Sequence, residues 1–243
     1  MKDNFEFLNE ISLMSIIDCK YLVKCLGGSI QRPHLFVVMP FYKNGSLYDK
    51  LHPEFKDPKY TPKENLFETS KGLRYNEILK MGFEISKAIE YLHSLNIIHR
   101  DIKSANVLLD EKGGAVLTDF GIMRCFYKSN LRMSRGMGTP RYISNEVSSG
   151  EFYDLSADIF SFGMVLYEMT TGLLPFYNLF NGFLIGEAVE KGERPKFSNS
   201  IMKTFGTDFI DFIKSCWDFL PKNRPTITQI VELFEKKNFR KKK

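Results

Sequence analysis

The sequence predicts an α+β protein in which one helix and two strands are followed by a larger, mainly helical part. Two observations carry this prediction. Two segments have apolar residues at helical spacing, and a third segment is apolar on nearly every face of a helix. Only short runs have the length of strands and the turn residues that flank strands. The 243 residues are enough to bury a substantial core, as one large domain or as two lobes that share a cleft.

The first elements are a helix and a pair of strands. Residues 5–17 carry most of their apolar side chains on one face, which predicts an amphipathic helix. Residues 25–30 and 34–41 are short apolar runs separated by a polar turn at residues 31–33. We therefore expect the chain to open with a helix followed by two strands.

A turn, a short helix and a long loop come next. The Asn44-Gly45 pair is a turn signal, and residues 46–52 follow it as a short helix. Residues 52–72 are polar, contain proline and lysine, and show no hydrophobic periodicity. We cannot assign this segment to a function, and its polarity predicts an exposed loop.

Helices dominate the rest of the chain. Residues 74–95 have the apolar spacing of a long amphipathic helix. Residues 157–172 are apolar nearly all round, which predicts a buried central helix that ends at Gly172. The sequence contains no internal repeat.

Composition narrows the class of protein. The net charge of +5 is modest and owes part of its value to a short basic terminus at residues 236–243, so we expect no nucleic-acid partner. The N-terminus has no apolar signal core and no apolar run has membrane-spanning length, which predicts a cytoplasmic protein without a membrane span. The four cysteines lack metal-ligand spacing and are expected to be reduced thiols: Cys19, Cys25, Cys125 and Cys216.

The segment HRDIKSAN combines three groups that phosphoryl transfer needs. Asp101, Lys103 and Asn106 place an acid, a cation and an amide within six residues. A carboxylate can accept the proton of an attacking hydroxyl, a cation can neutralise developing charge, and oxygen atoms can bind Mg²⁺. The segment therefore predicts a phosphoryl-transfer site.

A second carboxylate is expected beside the first group. The runs NVLLD and AVLTD, joined by EKGG, predict a β-hairpin that brings Asp119 next to Asn106. A carboxylate and an amide oxygen suit a hard cation. A magnesium nucleotide is the natural ligand of such a pair.

The order of these motifs resembles the catalytic domain of eukaryotic protein kinases. HRDIKSAN, DFG and SNE stand in the order of the family signatures H-R-D-L-x-x-x-N, D-F-G and A-P-E. GTPRYI, DIFSFG and CWDFLPKNRPT also resemble the later segments of the family, so the likeness runs from Phe5 to the C-terminus. The resemblance implies a bilobal fold, with a truncated small lobe at residues 1–42 and a complete large lobe at residues 43–243.

The resemblance also implies a set of roles, with a catalytic loop at 99–106 and an activation segment at 119–146. Asp101 corresponds to the catalytic base, Lys103 to the cation on the transferred phosphate, and Asn106 and Asp119 to the Mg²⁺ ligands. Thr139 would brace the base and the lysine. Further structural and regulatory positions are His99, Arg100, Phe120, Gly121, Glu146, Asp158 and Arg224. Of these, Glu146 and Arg224 correspond to a buried ion pair, and Asp158 ties the central helix to the catalytic loop.

The nucleotide is expected to be ATP. Met39 corresponds to the residue at the back of the adenine pocket, Pro40 and Tyr42 to the hinge that offers backbone groups to adenine, and Leu108 to the side chain beneath the base. Packing of Met39 and Leu108 in the core is an equally good interpretation, because both roles require an apolar side chain.

Two features of the activation segment carry separate hypotheses. Arg100 is placed to bind a phosphate on Ser129 or Ser134, with Ser134 the closer to GTPRYI; ordinary exposed serines are the alternative. Asn145 stands where the family has proline, which is expected to loosen the substrate platform. Phe160 stands where an aromatic or larger residue is common.

Lys103 and the GTPRY element resemble enzymes that phosphorylate serine or threonine. HRDIKSAN together with CWDFLPKNRPT is similar to the tyrosine-kinase-like group, whose members mostly act on these residues in protein substrates. Tyrosine or dual specificity is the less favoured alternative. In this alignment Glu10 is the helix glutamate, and the glycine-rich loop and strand lysine of the family would precede Met1. We therefore expect little turnover from this chain. The alternatives are a truncated pseudokinase that acts as a binding or scaffold module and, less favoured, a small-molecule phosphotransferase; the oligomeric state is not predicted.

Overall fold

A computed structural model describes residues 14–15, 17–31, 34–56, 72–119, 124–125 and 138–236. The strands are β1 (Gly27–Ser29), β2 (Phe36–Val38), β3 (Ile97–Ile98), β4 (Val107–Leu109), β5 (Ala115–Leu117) and β6 (Arg124–Cys125). The helices are α1 (Leu47–Leu51), α2 (Tyr75–Ser94), α3 (Asn145–Ser148), α4 (Ser156–Thr171), α5 (Gly182–Glu190), α6 (Asn199–Phe205), α7 (Thr207–Cys216) and α8 (Ile227–Glu235). Short 3-10 helices lie at Pro53–Lys56, Ser104–Asn106, Pro140–Tyr142 and Pro221–Asn223. This order confirms the α+β prediction, with strands concentrated early and helices late.

The first part of the chain contains the predicted pair of strands. β1 and β2 pair antiparallel, with Gly28 opposite Val37. Of the helix predicted at residues 5–17, Met14 and Ser15 are helical, and residues 5–13 lie outside the described part of the chain. Met14 is buried in the main core and so fixes the end of this segment against the larger part.

The helix α4 forms the centre of the larger part. All of its residues after Ser156 are buried, as expected for a segment that is apolar nearly all round. It ends at Gly172, whose φ of +71° is left-handed and therefore favours glycine. Helix α7 packs against one side of α4, and helix α2 packs against another side. Helix α4 is therefore surrounded by protein.

A close approach of helices joins α4 to α7. A Cβ atom added at Gly163 would lie only 2.8 Å from the Cβ of Cys216, so the helices touch at a position that requires glycine. Cys216 is fully buried there, and burial raises the pKa of its thiol well above the usual range. This thiol is therefore a packing group.

The hairpin predicted around EKGG is present. Leu108 of β4 lies opposite Val116 of β5. Asp110 closes the turn, because its Oδ1 accepts hydrogen bonds from the backbone N–H of Lys112 at 2.8 Å and of Gly114 at 2.6 Å. The open end of the hairpin holds Asn106 just before β4 and Asp119 just after β5.

The loop at residues 52–72 is not exposed along its whole length. His52 is only 2% exposed and contacts Glu168 of α4, and Gly72 packs against the α4 backbone. The expectation of exposure is wrong at His52, because the buried carboxylate of Glu168 receives its polar ring. Gly72 is half-buried. Residues 57–71 lie outside the described part. No helix in the described ranges is long and apolar enough to cross a membrane.

Candidate active site

The carboxylate of Asp101 is held by three neighbouring side chains. Lys103 Nζ donates to its Oδ2 at 2.5 Å, Asn106 Nδ2 donates to the same oxygen at 2.9 Å, and Thr139 Oγ1 donates to its Oδ1 at 3.0 Å. Lys103 Nζ also donates to Thr139 Oγ1 at 3.0 Å. Thr139 comes from a distant part of the chain, so the structure closes a network around the carboxylate that sequence spacing alone could not show.

Asn106 connects Asp101 to the second carboxylate. Its Nδ2 donates to the Asp101 backbone oxygen at 2.8 Å and lies 3.1 Å from Asp119 Oδ2. Asp119 is exposed and has a φ of +73°, a conformation that a non-glycine residue adopts at a cost. The hairpin therefore delivers Asp119 to the place that the sequence indicated.

The donor chemistry of this pair fits Mg²⁺. One carboxylate and one amide oxygen are hard ligands, and Mg²⁺ commonly takes one or two carboxylates together with water and phosphate oxygens. Within the described ranges, no group of three or more histidine, cysteine, aspartate or glutamate side chains could enclose a metal ion. The protein here would supply Asn106 and Asp119 as ligands, and phosphates would supply others.

The neutral imidazole ring of His99 orients the catalytic loop through two hydrogen bonds. Its Nε2 donates to the Thr118 carbonyl at 3.0 Å, which leaves Nδ1 as the acceptor for the Asp101 N–H at 3.3 Å. Complete burial lowers the pKa of His99, and the opposing effect of the nearby Asp158 charge is smaller. A neutral His99 therefore links the catalytic loop to the end of β5.

Asp158, in the first turn of α4, binds the catalytic loop through its backbone. It accepts hydrogen bonds from the N–H groups of His99 and Arg100, each at 2.9 Å, and from His93 Nε2 at 2.9 Å. Burial acts to raise the pKa of Asp158, but hydrogen bonding and charge from His93 outweigh it, so the pKa is lowered. The carboxylate remains ionised beneath the loop.

A second buried carboxylate, which sequence analysis missed, lies near the other end of α4. Glu168 accepts hydrogen bonds from Tyr142 Oη at 2.6 Å and Ser104 Oγ at 2.7 Å, and lies 2.8 Å from His52 Nε2. It joins the catalytic loop, the residues after Thr139 and the end of α1. The signal was present, because a charged residue in a helix that is apolar nearly all round must have buried partners.

Glu146 and Arg224 form a bidentate ion pair. The two guanidinium nitrogens donate to the two carboxylate oxygens at 2.6 and 2.8 Å, and both residues are buried. Arg224 also donates to the backbone oxygens of Ser156 and Asp218 at 3.1 and 3.0 Å. The pair therefore binds α3 to the start of α4 and to the loop after α7.

Asn145 is held by two hydrogen bonds at the position where loosening was expected. It is buried, its Oδ1 accepts from Arg194 Nη2 at 3.0 Å, and its Nδ2 donates to the Phe219 carbonyl at 3.1 Å. Proline could make neither bond. Phe160 is fully buried, with the guanidinium of Arg194 4.9 Å from its ring centre.

The residues assigned to the hinge and adenine pocket lie at the surface of the first part. Met39 is 43% exposed, which argues against core packing, and Pro40 is also exposed. Tyr42 is half-buried, and partial burial raises the pKa of its hydroxyl. Leu108 is half-buried and packs against the main core. Its strand bridges to Ser46, so the segment that follows the hinge lies along β4.

Some predicted residues lie outside the described part of the chain: Glu10, Phe120, Gly121, Ser129 and Ser134. Arg100 is described. It has a φ of +75°, and its guanidinium carbon lies 5.9 Å from the ring centre of Tyr153. The hypothesis that Arg100 binds a phosphorylated serine therefore stays a prediction.

The model of a family described as protein tyrosine and serine/threonine kinase matches residues 1–234. This chain belongs to that kinase family. Its relatives include the serine/threonine-protein kinase STY17 of Arabidopsis thaliana, 34% identical over 94% of this chain and 36% of the relative. The serine/threonine-protein kinase STY46 of the same plant is 32% identical over 93% of this chain and 36% of the relative. A probable LIM domain-containing serine/threonine-protein kinase of Dictyostelium discoideum is 33% identical over 95% and 33%.

The kinase chain spans about a third of the length of these relatives. The likeness covers the catalytic loop, the hairpin and the helices from α2 to α8 together. Family membership therefore applies to the arrangement of elements around Asp101, and the sequence resemblance to protein kinases is confirmed.

Proposed function

We propose that this protein is an ATP-dependent kinase that phosphorylates serine or threonine in protein substrates. The observation that carries the proposal is the network in which Thr139 and Lys103 both bind the Asp101 carboxylate. A structural carboxylate of this kind is usually fully buried, whereas Asp101 is only partly buried. It is thus fixed in orientation and still open to an acceptor.

In this proposal Asp101 orients the acceptor hydroxyl and takes its proton. Its carboxylate is fixed by donors on both oxygens, so little reorganisation is needed when the hydroxyl arrives. Lys103 stands 2.5 Å from the same carboxylate and would balance negative charge on the transferred phosphoryl group. Asn106 donates to the same oxygen as Lys103 and so helps to hold the Asp101 carboxylate in place.

Bound Mg-ATP would supply the phosphoryl group and neutralise the charge on its oxygens. Asn106 and Asp119 are the residues that would hold Mg²⁺, and their oxygen donors fit it. Residues 39–42 would offer backbone groups to adenine, with Leu108 on the core side. We also propose that residues 1–42 and 43–243 form the two lobes on either side of this site.

Selectivity for serine and threonine is supported by the packing around Asp101. Lys103 and Thr139 occupy the space beside the carboxylate and contact each other at 3.0 Å. A short side chain can bring its hydroxyl to Asp101 past these groups, whereas tyrosine would hold the peptide backbone farther away. These relatives are named as serine/threonine-protein kinases, which supports the same selectivity.

The test is phosphoryl transfer from radiolabelled Mg-ATP to dephosphorylated casein by the full-length protein, followed by phosphoamino-acid analysis. Label on serine and threonine is expected even at the low turnover that the sequence predicts for this chain, and Asp101→Asn should reduce it at least ~10³-fold because the proton acceptor is lost. Asp211→Asn, at an exposed carboxylate on α7, is the matched control and should leave the rate unchanged. Equal rates for Asp101→Asn and wild type would refute the proposal.

Nucleotide binding is tested separately by thermal shift. Mg-ATP should raise the melting temperature of the wild type, and Asp119→Asn should remove the magnesium-dependent part of that shift because a ligand is lost. A magnesium-dependent shift that persists in Asp119→Asn would exclude Asp119 as a ligand.

A further inference from the structure

A small cavity lies where α3, the first two turns of α4 and the catalytic loop meet. Its volume is about 10 Å³, which is roughly the space that a single water molecule needs. Part of its lining is polar and consists of Arg100, Ser144, Asp158 and Ser161. We call these four side chains the polar wall.

The hydroxyl group of Ser144 is the member of the polar wall that points to a ligand. Ser144 is only 1% exposed, and among the described residues its Oγ has no hydrogen-bond partner. Ser161, on the same wall, differs because its hydroxyl donates to the Tyr142 carbonyl at 2.7 Å. Burying a hydroxyl group without a hydrogen bond is costly, and ordered water commonly bonds such groups in folded proteins.

The carboxylate of Asp158 can accept a bond from the same water. Its Oδ2 accepts hydrogen bonds from the His99 N–H and from His93 Nε2, each at 2.9 Å. Its Oδ1 accepts one bond, from the Arg100 N–H at 2.9 Å. Because a carboxylate oxygen can accept two hydrogen bonds, Oδ1 has the capacity for one more donor. A water molecule can therefore accept from Ser144 and donate to Asp158.

The rest of the lining restricts what the cavity can hold. Ile143, Val147 and Ala157 contribute apolar side chains, and all three belong to a small apolar cluster separate from the main core. These side chains offer no hydrogen bonds, so a ligand must be held by the polar wall alone. The volume fits one water molecule and is too small for a phosphate group or an organic ligand.

We propose that this cavity binds one water molecule, which accepts a hydrogen bond from Ser144 and donates one to the carboxylate of Asp158. The water makes Asp158 a link between two segments. Its carboxylate holds the backbone of the catalytic loop directly, and through the water it also holds the residue that directly precedes α3. The inference is independent of phosphoryl transfer and so goes beyond the proposed function.

The first test is a crystal structure of the unmodified protein at a resolution that shows ordered water. We expect electron density for one water molecule about 2.5–3.0 Å from both Ser144 Oγ and an oxygen of the Asp158 carboxylate. A cavity without such density overturns the proposal. So does a Ser144 hydroxyl that is bonded to a protein carbonyl instead.

The second test is urea unfolding of Ser144→Ala, because a bonded and an unbonded hydroxyl group predict opposite signs. If the water joins Ser144 to Asp158, the variant should lower the ratio of folded to unfolded protein about fivefold, since a hydrogen bond is lost. If the hydroxyl has no partner, its removal relieves a cost and raises the ratio. An unchanged or increased ratio therefore overturns the proposal.

The background Asp158→Asn separates the water bridge from other effects of Ser144→Ala. In this background Ser144→Ala should lower the folded-to-unfolded ratio about twofold or less, because the charged acceptor of the water is gone. Ser86→Ala is the matched control, since Ser86 is fully buried and its Oγ donates to the Phe83 carbonyl at 2.8 Å. The control should cost the same in both backgrounds. Equal losses for Ser144→Ala in the two backgrounds would overturn the bridge to Asp158.

Discussion

The two ends of α4 hold the same catalytic loop in different ways. Near the N-terminal end Asp158 accepts hydrogen bonds from the backbone N–H groups of His99 and Arg100. Near the C-terminal end Glu168 accepts them from the hydroxyl groups of Ser104 and Tyr142. Each carboxylate is fully buried and each contacts one histidine ring nitrogen, yet the loop groups that the two carboxylates hold differ in kind.

The difference shows which hydrogen bonds of the loop a side-chain substitution can remove. Any residue in the place of His99 or Arg100 except proline would still offer its N–H group to Asp158. Ser104 and Tyr142 offer side chains, and substitution removes those bonds. The Asp158 end therefore fixes the path of the loop whatever its side chains, whereas the Glu168 end couples the loop to particular residues of α1 and of residues 140–142.

The largest effect is expected at the Asp158 end. Asp158→Ala leaves two buried backbone N–H groups and His93 without their acceptor, so we expect the free energy of unfolding to fall by ~3–5 kcal/mol. Asp158→Asn keeps one acceptor oxygen and should cost less. Urea unfolding measures both, with Asp211→Ala as the exposed control; equal losses for Asp158→Ala and the control would contradict this account of the loop.

The Glu168 end should respond less, because its hydroxyl partners can rotate. Tyr142→Phe removes one short bond to a buried charge and should reduce the free energy of unfolding by ~1–3 kcal/mol. Tyr177→Phe, at a half-buried tyrosine, is the control for loss of a hydroxyl. The double variant Tyr142→Phe/Ser104→Ala tests whether the two hydroxyl groups are energetically coupled. If its loss in the free energy of unfolding equals the sum of the losses in the two single variants, the hydroxyls act independently.

Lowering the pH should reduce the free energy of unfolding in two separate pH ranges, because two groups that hold the loop have lowered pKa values. His99 has a lowered pKa, so below its ordinary value of 6.5 the unfolded chain binds a proton that the folded protein does not, and stability falls as the pH falls. Asp158 also has a lowered pKa, and its contribution is lost only below its ordinary value of 3.8. The His99 slope is at most ~1.4 kcal/mol per pH unit.

The measurement is urea unfolding from pH 8 to pH 5 for the wild type and His99→Gln. The glutamine cannot take up a proton in this range, so the pH dependence should be shallower in the variant. Groups common to both proteins, such as the half-buried Glu84, cancel in the difference. Parallel curves would show that His99 does not titrate as described.

The smallest effect is expected at Asn145, which bridges Arg194 and the Phe219 carbonyl. Asn145→Ala should lower the free energy of unfolding by ~1 kcal/mol and raise the KM for protein substrate more than the KM for ATP, because the platform shifts and the nucleotide side does not. Asn145→Asp keeps the acceptor for Arg194 and should therefore raise the KM for protein substrate less than Asn145→Ala does. Equal changes in the two KM values would assign Asn145 a purely structural role.

Local patterns predicted the elements well, because periodicity and turn residues act over short distances. The α4 segment, the EKGG hairpin and the two opening strands all follow from neighbouring residues. The residue pattern indicated Asp101, Lys103, Asn106 and Asp119, and resemblance to kinases assigned their individual roles. The Glu168 network and the Asn145 bridge depend on residues 26 to 116 positions apart, and no local pattern specifies which distant donor meets a buried acceptor.

The contact between Gly163 and Cys216 gives the protein an internal reporter of unfolding. A thiol that is fully buried and hard to ionise reacts with alkylating reagents only when the α4–α7 interface opens. Cys19 and Cys25 are half-buried and should be alkylated in the native state. Peptide mass spectrometry after timed alkylation can therefore follow opening of the core at Cys216 in the unmodified sequence, without a probe or a tag.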